Sequence, residues 1–183
     1  MPRRVCVYCA SSDRLAPVYL EAAAEMGTTI AAQGDTLVYG AANCGSMGTL
    51  VRAAMAGGAH IHGVVPENIH AMGVTEMAVQ DLEVVPDLRV RKARMMALAD
   101  AFVVLPGGIG TMDEFFETLS MKYFREHHDK PLVLVNINGG LDGLLALMES
   151  LYREQFTPAK CRRLYQVVDR VDQVYAAFAE EAH

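Results

Sequence analysis

The chain has 183 residues, of which 52% are hydrophobic and 21% charged, a composition that is typical of a globular α/β protein and excludes a disordered one. Its 16 basic and 22 acidic residues give a net charge of −6, and no basic stretch is long enough for a nucleic-acid duplex. No apolar run approaches the roughly 20 residues that span a bilayer, and no signal-type apolar region follows residues 1–4, so we expect a cytoplasmic protein without membrane or nucleic-acid partners.

Runs of β-branched and apolar residues predict short strands, and apolar residues at helical spacing predict helices between them. In chain order, the predicted strands are 4–9, 36–39, 60–65, 79–85, 101–105, 132–135 and 165–168. The predicted helices are 17–33, about 46–55, 88–99, a helix that follows the glycine turn after 101–105 and ends near Arg125, 141–152 and 171–182. Gly34 is placed to end the first helix as its C′ residue.

Strands that alternate with helices predict βαβ units, a mostly parallel sheet and helices on both of its faces. We therefore predict an α/β protein with a doubly wound, Rossmann-like fold. No linker, repeat or low-complexity segment interrupts the pattern, so we expect a single domain over residues 1–183.

Neither the cysteines nor the histidines predict a metal site. Cys6 and Cys9 have C-x-x-C spacing, but residues i and i+3 of a strand point to opposite faces, and no second Cys or His pair completes a site. His60 and His62 share a strand face without an evident third ligand. We therefore expect structural thiols and no metal.

The run Pro-Gly-Gly-Ile-Gly-Thr-Met-Asp-Glu at 106–114 carries the most functional information. It lies between a buried strand and a helical pattern, so its glycines are predicted to form a turn at a helix N-terminus. Free backbone N–H groups at such a turn bind phosphate or carboxylate groups. Glu114 follows about one turn into the helix, and an acid beside an anion site is unfavourable unless it has a partner or a catalytic task.

A second glycine turn, Gly-Ala-Ala-Asn-Cys-Gly-Ser-Met-Gly at 40–48, follows the strand 36–39 and opens another helix. Both turns are expected at the carboxyl ends of parallel strands, where ligands bind in such sheets. Together they could hold a mononucleotide, and the alternative is that the glycines only form tight turns. The G-x-G-x-x-G and Walker A sequences are both absent, which disfavours NAD and P-loop ATP sites.

Two interpretations of Thr111 and Glu114 are open at this point. The spacing Thr-x-x-Glu is that of a capping box, in which both side chains only satisfy N–H groups at the helix start. A functional role for Glu114 is favoured by Arg91. This arginine shares a face of the predicted helix 88–99 with Met95 and Leu98, so we expect it at the inner edge of that helix.

The helix 88–99 also carries a small basic cluster that suits a single phosphate. Its members are Arg89, Arg91, Lys92 and Arg94. For Lys92 and Arg94, ordinary solvated charges are the alternative.

The combined pattern resembles the LOG ("lonely guy") family of cytokinin riboside 5′-monophosphate phosphoribohydrolases, which older labels called lysine decarboxylases. The resemblance covers nearly the whole chain. Its most specific element is P-G-G-x-G-T-x-x-E, which residues 106–114 match without a break. The next is an Arg-Lys pair on the preceding helix, matched by Arg91 and Lys92.

The chain departs from the family pattern in the first glycine turn, where Gly40-Ala41-Ala42 replaces a triple glycine. A Cβ at 41 and 42 disfavours positive φ and close approach to a ligand. The residues just before Arg91 and the segment 118–124 also differ from the family pattern. These departures leave the preferred base open.

The resemblance implies hydrolysis of the N-glycosidic bond of an AMP-like or cytokinin nucleoside 5′-monophosphate to the free base and ribose 5-phosphate. It implies Arg91 and Glu114 as the catalytic pair, a nucleoside monophosphate as the partner and a homodimer. The substrate- and phosphate-binding residues expected around this pair are Ser11, Gly40, Gly45, Lys92, Met95, Gly107, Gly108, Gly110 and Thr111. The alternative is a non-catalytic carrier of the same fold that binds a nucleotide or the molybdenum cofactor, but the retained Arg–Glu pair favours the enzyme.

Overall fold

All of the predicted strands are present in the computed structural model, which describes residues 2–124 and 129–180. The strands are β1 (Arg4–Tyr8), β2 (Thr36–Tyr39), β3 (His60–Pro66), β4 (Asp81–Val85), β5 (Ala101–Val104), β6 (Leu132–Val135) and β7 (Gln166–Val168). The α-helices in these ranges are α1 (Pro17–Ala32), α2 (Gly45–Ala56), α3 (Glu67–His70), α4 (Leu88–Leu98), α5 (Ile109–Phe124), α6 (Asp142–Arg153) and α7 (Val174–Glu180). The predicted helix ends near Arg125 and Ala182 lie outside the described residues.

The strands form one sheet in the order β4-β3-β2-β1-β5-β6-β7. Neighbouring strands are parallel in every pair, and Val5 of β1 lies opposite Leu37 of β2 on one side and Ala101 of β5 on the other. The chain moves outward in one direction from β1 to β4 and in the other from β5 to β7. The strand order therefore reverses between β1 and β5, which confirms the predicted α/β, doubly wound and Rossmann-like fold.

Alternate side chains of each strand enter two hydrophobic cores, one on each face of the sheet. Val5 and Val7 of β1 pack in the core that contains residues of α1, α2 and α7. Cys6 packs in the core formed with α4, α5 and α6, whereas Cys9 belongs to the first core. The two cysteines lie on opposite faces as predicted, and both are free thiols.

The end of α1 shows why this helix stops where the sequence predicts. Gly34 has a φ of +70°, a conformation that favours glycine. Its N–H donates to the carbonyl of Ala31 at 3.0 Å, and the N–H of Asp35 donates to the carbonyl of Ile30 at 3.1 Å, which are the hydrogen bonds of a Schellman motif. The carboxylate of Asp35 accepts the N–H of Arg3 at 2.7 Å, so the end of α1 is held beside the start of β1.

Two boundaries differ from the sequence-based prediction by more than one residue. Strand β4 begins at Asp81 rather than at 79, because Gln80 accepts the N–H of Ile61 with its side-chain oxygen at 3.0 Å instead of with its backbone. The predicted helix 171–182 opens with the 3₁₀ turn Val171–Gln173 before α7, a common arrangement at helix starts. Within the described ranges, none of the helices is long and apolar enough to cross a membrane.

Candidate active site

The reversal of strand order between β1 and β5 marks the crevice where open α/β sheets bind ligands. Leu105 donates its N–H to the carbonyl of Tyr8 at 2.9 Å, which holds the carboxyl ends of the two strands side by side. The glycine turn follows β5 directly and leads into α5 at Ile109. Ser11 is exposed in the loop that follows β1. The 106–114 motif therefore lies where the sequence predicted it.

The start of α5 carries a row of unpaired backbone donors. The first hydrogen bond of the helix runs from the N–H of Met112 to the carbonyl of Gly108 at 3.0 Å. No acceptor in the described part of the chain contacts the N–H groups of residues 107–111, and Ile109 is 90% exposed. Such donors at the positive end of a 16-residue helix form an anion-binding arrangement.

The three glycines of this turn differ in what the fold demands of them. A Cβ on Gly107 would lie 2.7 Å from the Cβ of Thr111, so the packing of the turn excludes a side chain there. A Cβ on Gly108 or Gly110 would meet nothing within 4 Å, and neither residue has a positive φ. The packing of the described residues therefore does not require glycine at 108 and 110. Because these two residues have no side chains, the space beside the unpaired N–H groups is open.

The second part of the site is an ion pair between Arg91 of α4 and Glu114 of α5. Arg91 Nη2 donates to Glu114 Oε1 at 2.5 Å, and the two residues are only 9% and 7% exposed. Asp87 holds the start of α4 by accepting the N–H groups of Arg89 and Val90 at 2.8 and 3.0 Å, as an N-cap does. Arg91 thus lies on the inner side of α4 as predicted, and it is the partner of the acid beside the anion site.

Two opposing influences act on the pKa of Glu114, which are its burial and the charge of Arg91. Burial raises the pKa of Glu114, while the charge of Arg91 and its hydrogen bond act in the opposite direction. Burial likewise raises the pKa values of the Cys6 and Cys9 thiols and of the Tyr8 phenol. These three groups are therefore neutral near pH 7, and Arg91 is the group that favours the ionised form of Glu114 most.

Gly40 leaves room for the guanidinium of Arg91. A Cβ on Gly40 would lie 3.2 Å from Arg91 Nη1 and 3.3 Å from the sulfur of Met47. Arg91 Nε is buried and has no hydrogen-bond acceptor among the described residues, so the guanidinium keeps a donor besides the one that it gives to Glu114. The contact between Gly40 and Arg91 was not foreseen, and a phosphate contact of Gly40 stays a prediction.

The start of α2, the second predicted anion site, is partly occupied by the chain itself. Asp13 Oδ1 accepts the N–H of Gly45 at 2.9 Å, and the N–H of Met47 donates to the carbonyl of Ala10 at 3.1 Å. The first hydrogen bond of the helix runs from Gly48 to Cys44 at 2.8 Å, so among residues 45–47 only Ser46 has an N–H group without an acceptor in the described part of the chain. Gly45 has a conformational role, because its φ is +58° and a Cβ would lie 2.6 Å from the carbonyl carbon of Ser11.

Ala41 adopts the positive φ that its Cβ disfavours, so the sequence-based expectation for this residue is wrong. Its φ is +61° and it is fully buried. The N–H of Glu76 donates to the carbonyl of Ala41 at 2.9 Å, and the N–H of Asn43 donates to the carbonyl of Val74 at 2.9 Å. A left-handed residue with a Cβ costs roughly 1–2 kcal/mol, and the pairing with 74–76 holds the turn in this shape.

The basic residues of α4 do not form one phosphate site, contrary to the prediction. Lys92 Nζ lies 2.7 Å from Asp113 Oδ2 and 2.6 Å from Glu117 Oε2, and the Lys92 side chain is 16% exposed. Arg94 Nε lies 2.7 Å from a carboxylate oxygen of β4. With Arg91 also paired, three of the four cations of the cluster are held by carboxylates, and Lys92 is not a freely solvated charge.

Burial and the start of α5 bear on two further expectations. Met95 is 1% exposed and packs in the core between the sheet and α4, and its assignment to substrate binding stays a prediction. Thr111 is buried, and α5 begins two residues before it, at Ile109. Thr111 is therefore not an N-cap and Glu114 bonds to α4, which makes the capping-box interpretation wrong.

The predicted histidine pair has carboxylate partners on β4. His60 Nε2 lies 2.6 Å from Asp81 Oδ2, and His62 Nε2 lies 3.4 Å from Glu83 Oε2. In the ranges 2–124 and 129–180, no group of three or more His, Cys, Asp or Glu side chains is arranged to hold a metal ion. That the protein uses no metal stays a prediction.

Three acidic residues near the site were missed in the sequence: Asp13, Asp113 and Glu117. Asp113 and Glu117 are four residues apart, and this spacing places them on one helix face, where they can share a cation. That signal was available beside the 106–114 motif. For Asp13, 32 residues away from Gly45, the sequence carries no comparable signal.

A parallel, doubly wound sheet with a buried Arg–Glu pair beside a glycine-rich helix start defines an α/β protein with a Rossmann-like ligand site. A family model described as "Possible lysine decarboxylase" matches residues 47–178. Arabidopsis thaliana LOG1, named a cytokinin riboside 5′-monophosphate phosphoribohydrolase, is 35% identical over 162 residues, which cover 88% of this chain and 76% of LOG1. The chain belongs to the LOG family.

Other similar proteins include a second plant relative and two solved structures. Rice LOGL6, named a probable cytokinin riboside 5′-monophosphate phosphoribohydrolase, is 36% identical over 162 residues, which cover 88% of this chain but only 64% of LOGL6. The molybdenum cofactor binding protein of Rippkaea orientalis superposes with a TM-score of 0.75 at 19% identity, covering 100% of this chain and 99% of that one. The molybdenum cofactor carrier protein of Chlamydomonas reinhardtii gives 0.73 at 22% identity, covering 100% and 99%. At these identities the two structures show a shared fold.

Proposed function

We propose that this protein hydrolyses the N-glycosidic bond of an AMP-like or cytokinin nucleoside 5′-monophosphate and releases the free base and ribose 5-phosphate. The observation that carries the proposal is the buried ion pair of Arg91 and Glu114, 2.5 Å long, next to the unpaired N–H groups of 107–111. Membership of the LOG family supports the same reaction, because relatives such as LOG1 are named for it.

The chemistry explains why a carboxylate is needed. Cleavage of an N-glycosidic bond passes through an oxocarbenium-like transition state, in which positive charge develops at C1′ of the ribose. An ionised Glu114 next to C1′ stabilises that charge or orients the attacking water. The water hydroxyl bonds to C1′, the bonding pair leaves with the base, and a proton is transferred to the base nitrogen.

Arg91 prepares Glu114 for this task. In the free protein it compensates the charge of a buried carboxylate, whose burial alone favours the neutral form. Its Nε donor has no partner among the described residues. Because Nε is buried, we propose that the other guanidinium nitrogens of Arg91 contact a ribose hydroxyl, the phosphate or the departing base.

The open turn explains a requirement for the 5′-phosphate. We assign the phosphate to the N–H groups of 107–111, where Gly108 and Gly110 leave the approach open. Backbone donors at a helix start bind a dianion far better than a neutral hydroxyl. A nucleoside without phosphate is therefore expected to be a poor substrate.

Base release from purified protein tests the proposal. AMP, N6-isopentenyl-AMP, other nucleoside 5′-monophosphates and adenosine are incubated with the protein, and free base and ribose 5-phosphate are quantified by chromatography. We expect equimolar products from an N6-amino or N6-substituted monophosphate and little base from adenosine. Glu114→Gln is expected to reduce turnover by about 100-fold or more. Absence of base release from every monophosphate would contradict the proposal.

A carrier function is the second outcome of the same experiment. The names of the two structural neighbours concern molybdenum cofactor binding. A carrier needs an anion site but no carboxylate at a reacting carbon, so the Arg91–Glu114 pair supports the enzyme. A phosphorylated ligand that co-purifies and is identified by mass spectrometry, together with no turnover, would favour the carrier.

Three finer expectations belong to this proposal. AMP is proposed as a substrate because the glycine turn suits one phosphate, whereas the preferred base depends on side chains that differ from the family pattern.

A homodimer is implied by the family, and light scattering on a size-exclusion column tests it. A cytoplasmic location, expected from the composition, is tested by fractionation of the source cells.

A further inference from the structure

A second set of ion pairs joins α4 to α5 next to the proposed catalytic pair. Lys92 follows Arg91 in α4, and its ammonium lies within 2.7 Å of both Asp113 Oδ2 and Glu117 Oε2. The Lys92 and Glu117 side chains are only 16% and 27% exposed. The Lys92–Glu117 pair is therefore screened less by salt than pairs on the open surface, whereas the Asp113 side chain is 56% exposed.

The spacing on the two helices explains why one lysine reaches two acids. Asp113 and Glu117 are four residues apart on α5, so their side chains lie on one face of the helix. They flank Glu114, one residue before it and three residues after it. Two consecutive residues of α4 therefore bind three acids of α5. Arg91 pairs with Glu114, and Lys92 pairs with the acids on either side of it, Asp113 and Glu117.

Lys92 is one of two cations that act on Glu114. The groups that face Glu114 are Arg91 and Lys92 from α4, Asp113 from α5, and the neutral thiols and phenol of residues 6–9. Asp113 favours the protonated form of Glu114, whereas both cations favour the ionised form. Without Lys92, two carboxylates next to Glu114 would have no cation between them.

We propose that Lys92 is a positioning residue of the phosphoribohydrolase site: held by Asp113 and Glu117, it fixes α5 against α4 and keeps Glu114 ionised beside the substrate. This assignment rests on the proposed function and replaces direct phosphate binding by Lys92. The ammonium donates a hydrogen bond to Asp113 Oδ2 at 2.7 Å and forms an ion pair with Glu117 Oε2 at 2.6 Å. The phosphate has the unpaired N–H groups of 107–111 instead.

Steady-state kinetics on Lys92→Met separate positioning from phosphate binding. Methionine keeps an unbranched, flexible apolar chain and removes the ammonium group with its charge and its donors. We expect kcat to fall about tenfold or more, KM for the monophosphate to change by less than about threefold, and the acid limb of the kcat profile to move to higher pH. Adding Asp113→Asn to Lys92→Met removes one uncompensated charge and is expected to move the limb back. A large rise in KM, with kcat and the pH profile unchanged, would overturn the proposal in favour of phosphate binding.

A titration that needs no turnover distinguishes failure of this proposal from failure of the proposed function. The side-chain carboxyl carbons of glutamate are labelled with ¹³C, and the Glu114 signal is assigned from its loss in Glu114→Gln. We expect the Glu114 signal to titrate at higher pH in Lys92→Met than in the natural protein, and at lower pH in Asp113→Asn. Arg94→Met is the matched control, because it removes a cation of α4 that pairs with Glu83. An unchanged Glu114 titration in both Lys92→Met and Asp113→Asn would overturn the proposal, whatever the activity.

Discussion

Asp13 Oδ1 accepts the N–H of Gly45 at 2.9 Å, so a carboxylate from the loop after β1 occupies the start of α2. The contact does for α2 what an N-cap side chain does, although Asp13 lies 32 residues away. It also leaves fewer free donors at the start of α2 than at the start of α5. The two glycine turns are alike in sequence, but only the one at α5 has its row of donors unpaired among the described residues.

Replacement of Asp13 tests the partly occupied start of α2. Asp13→Ala leaves the N–H of Gly45 without its acceptor and is expected to lower the free energy of unfolding by about 0.5–2 kcal/mol, the range for lost helix caps. Asp13→Asn keeps a side-chain oxygen at the same position and is expected to lose less. Urea unfolding followed by circular dichroism measures both. Equal stability of Asp13→Ala and the natural protein would contradict a capping role.

Gly110 offers a test in which stability and activity change in opposite directions. It is the second residue of α5, exposed and with open space at its Cβ position, and nothing in its packing requires glycine. Gly110→Ala is expected to stabilise the protein by up to about 1 kcal/mol. The added methyl group lies beside the proposed phosphate, so we expect KM for AMP to rise.

Gly143→Ala is the matched control for this substitution. Gly143 is the second residue of α6 and is likewise exposed with nothing within 4 Å of its Cβ position. We expect the same stabilisation with unchanged kinetics. Thermal unfolding and the base-release assay are run on both variants. If Gly110→Ala kept the natural KM, the phosphate would bind somewhere other than this turn.

The fold could be predicted from the sequence because its signals are local. Short apolar runs separated by helical patterns implied the parallel sheet, and Gly34 ended α1 as expected, because positive φ at C′ favours glycine. One error arose where a side chain replaced the backbone in a hydrogen bond. Gln80 delays β4 in this way, since its side-chain oxygen accepts the N–H of Ile61.

The site could be predicted only in part, because helical spacing says which face a residue occupies but not what packs against it. The spacing of Thr111 and Glu114 fits both a capping box and a catalytic acid. Only the contact with Arg91, 23 residues away, decides between them. Met95 shows what spacing can predict, since the helical face that it shares with Arg91 indeed packs in the core.

The pH dependence of activity follows from the burial of Glu114. Burial raises the pKa of this carboxyl above 4.5, its ordinary value, despite the opposing effect of Arg91. Because the ionised form is the active one, kcat/KM is expected to be constant at neutral pH and to fall as the pH drops through this raised pKa. The acid limb should therefore lie above the usual range of glutamate. A profile flat down to pH 4 would show that Glu114 is not the ionised group that the reaction needs.

The stability of the protein is expected to depend on pH through Asp100. The pKa of this carboxyl is lowered, whereas that of Glu114 is raised. The Asp100 carboxylate accepts hydrogen bonds from Arg4 Nη2 at 2.8 Å, Nε at 3.0 Å and the backbone N–H at 2.9 Å, which joins the starts of β1 and β5. These hydrogen bonds, those of the guanidinium first, lower the pKa of Asp100. The unfolded chain then binds more protons than the folded one, so this contribution is present above the unfolded pKa, near about 4, and is lost as the pH falls through the folded value.

Unfolding by urea at pH 7 and at several values below pH 4 measures this contribution. Asp100→Asn is expected to be less stable than the natural protein at pH 7, and the difference should shrink as the pH falls. Asp169→Asn is the control, because Asp169 is exposed and its side chain has no ion-pair partner among the described residues. The contrary outcome is a stability difference between Asp100→Asn and the natural protein that stays constant from pH 7 to pH 2. In that case the charge of Asp100 would not contribute to the contact with Arg4 that joins the starts of β1 and β5.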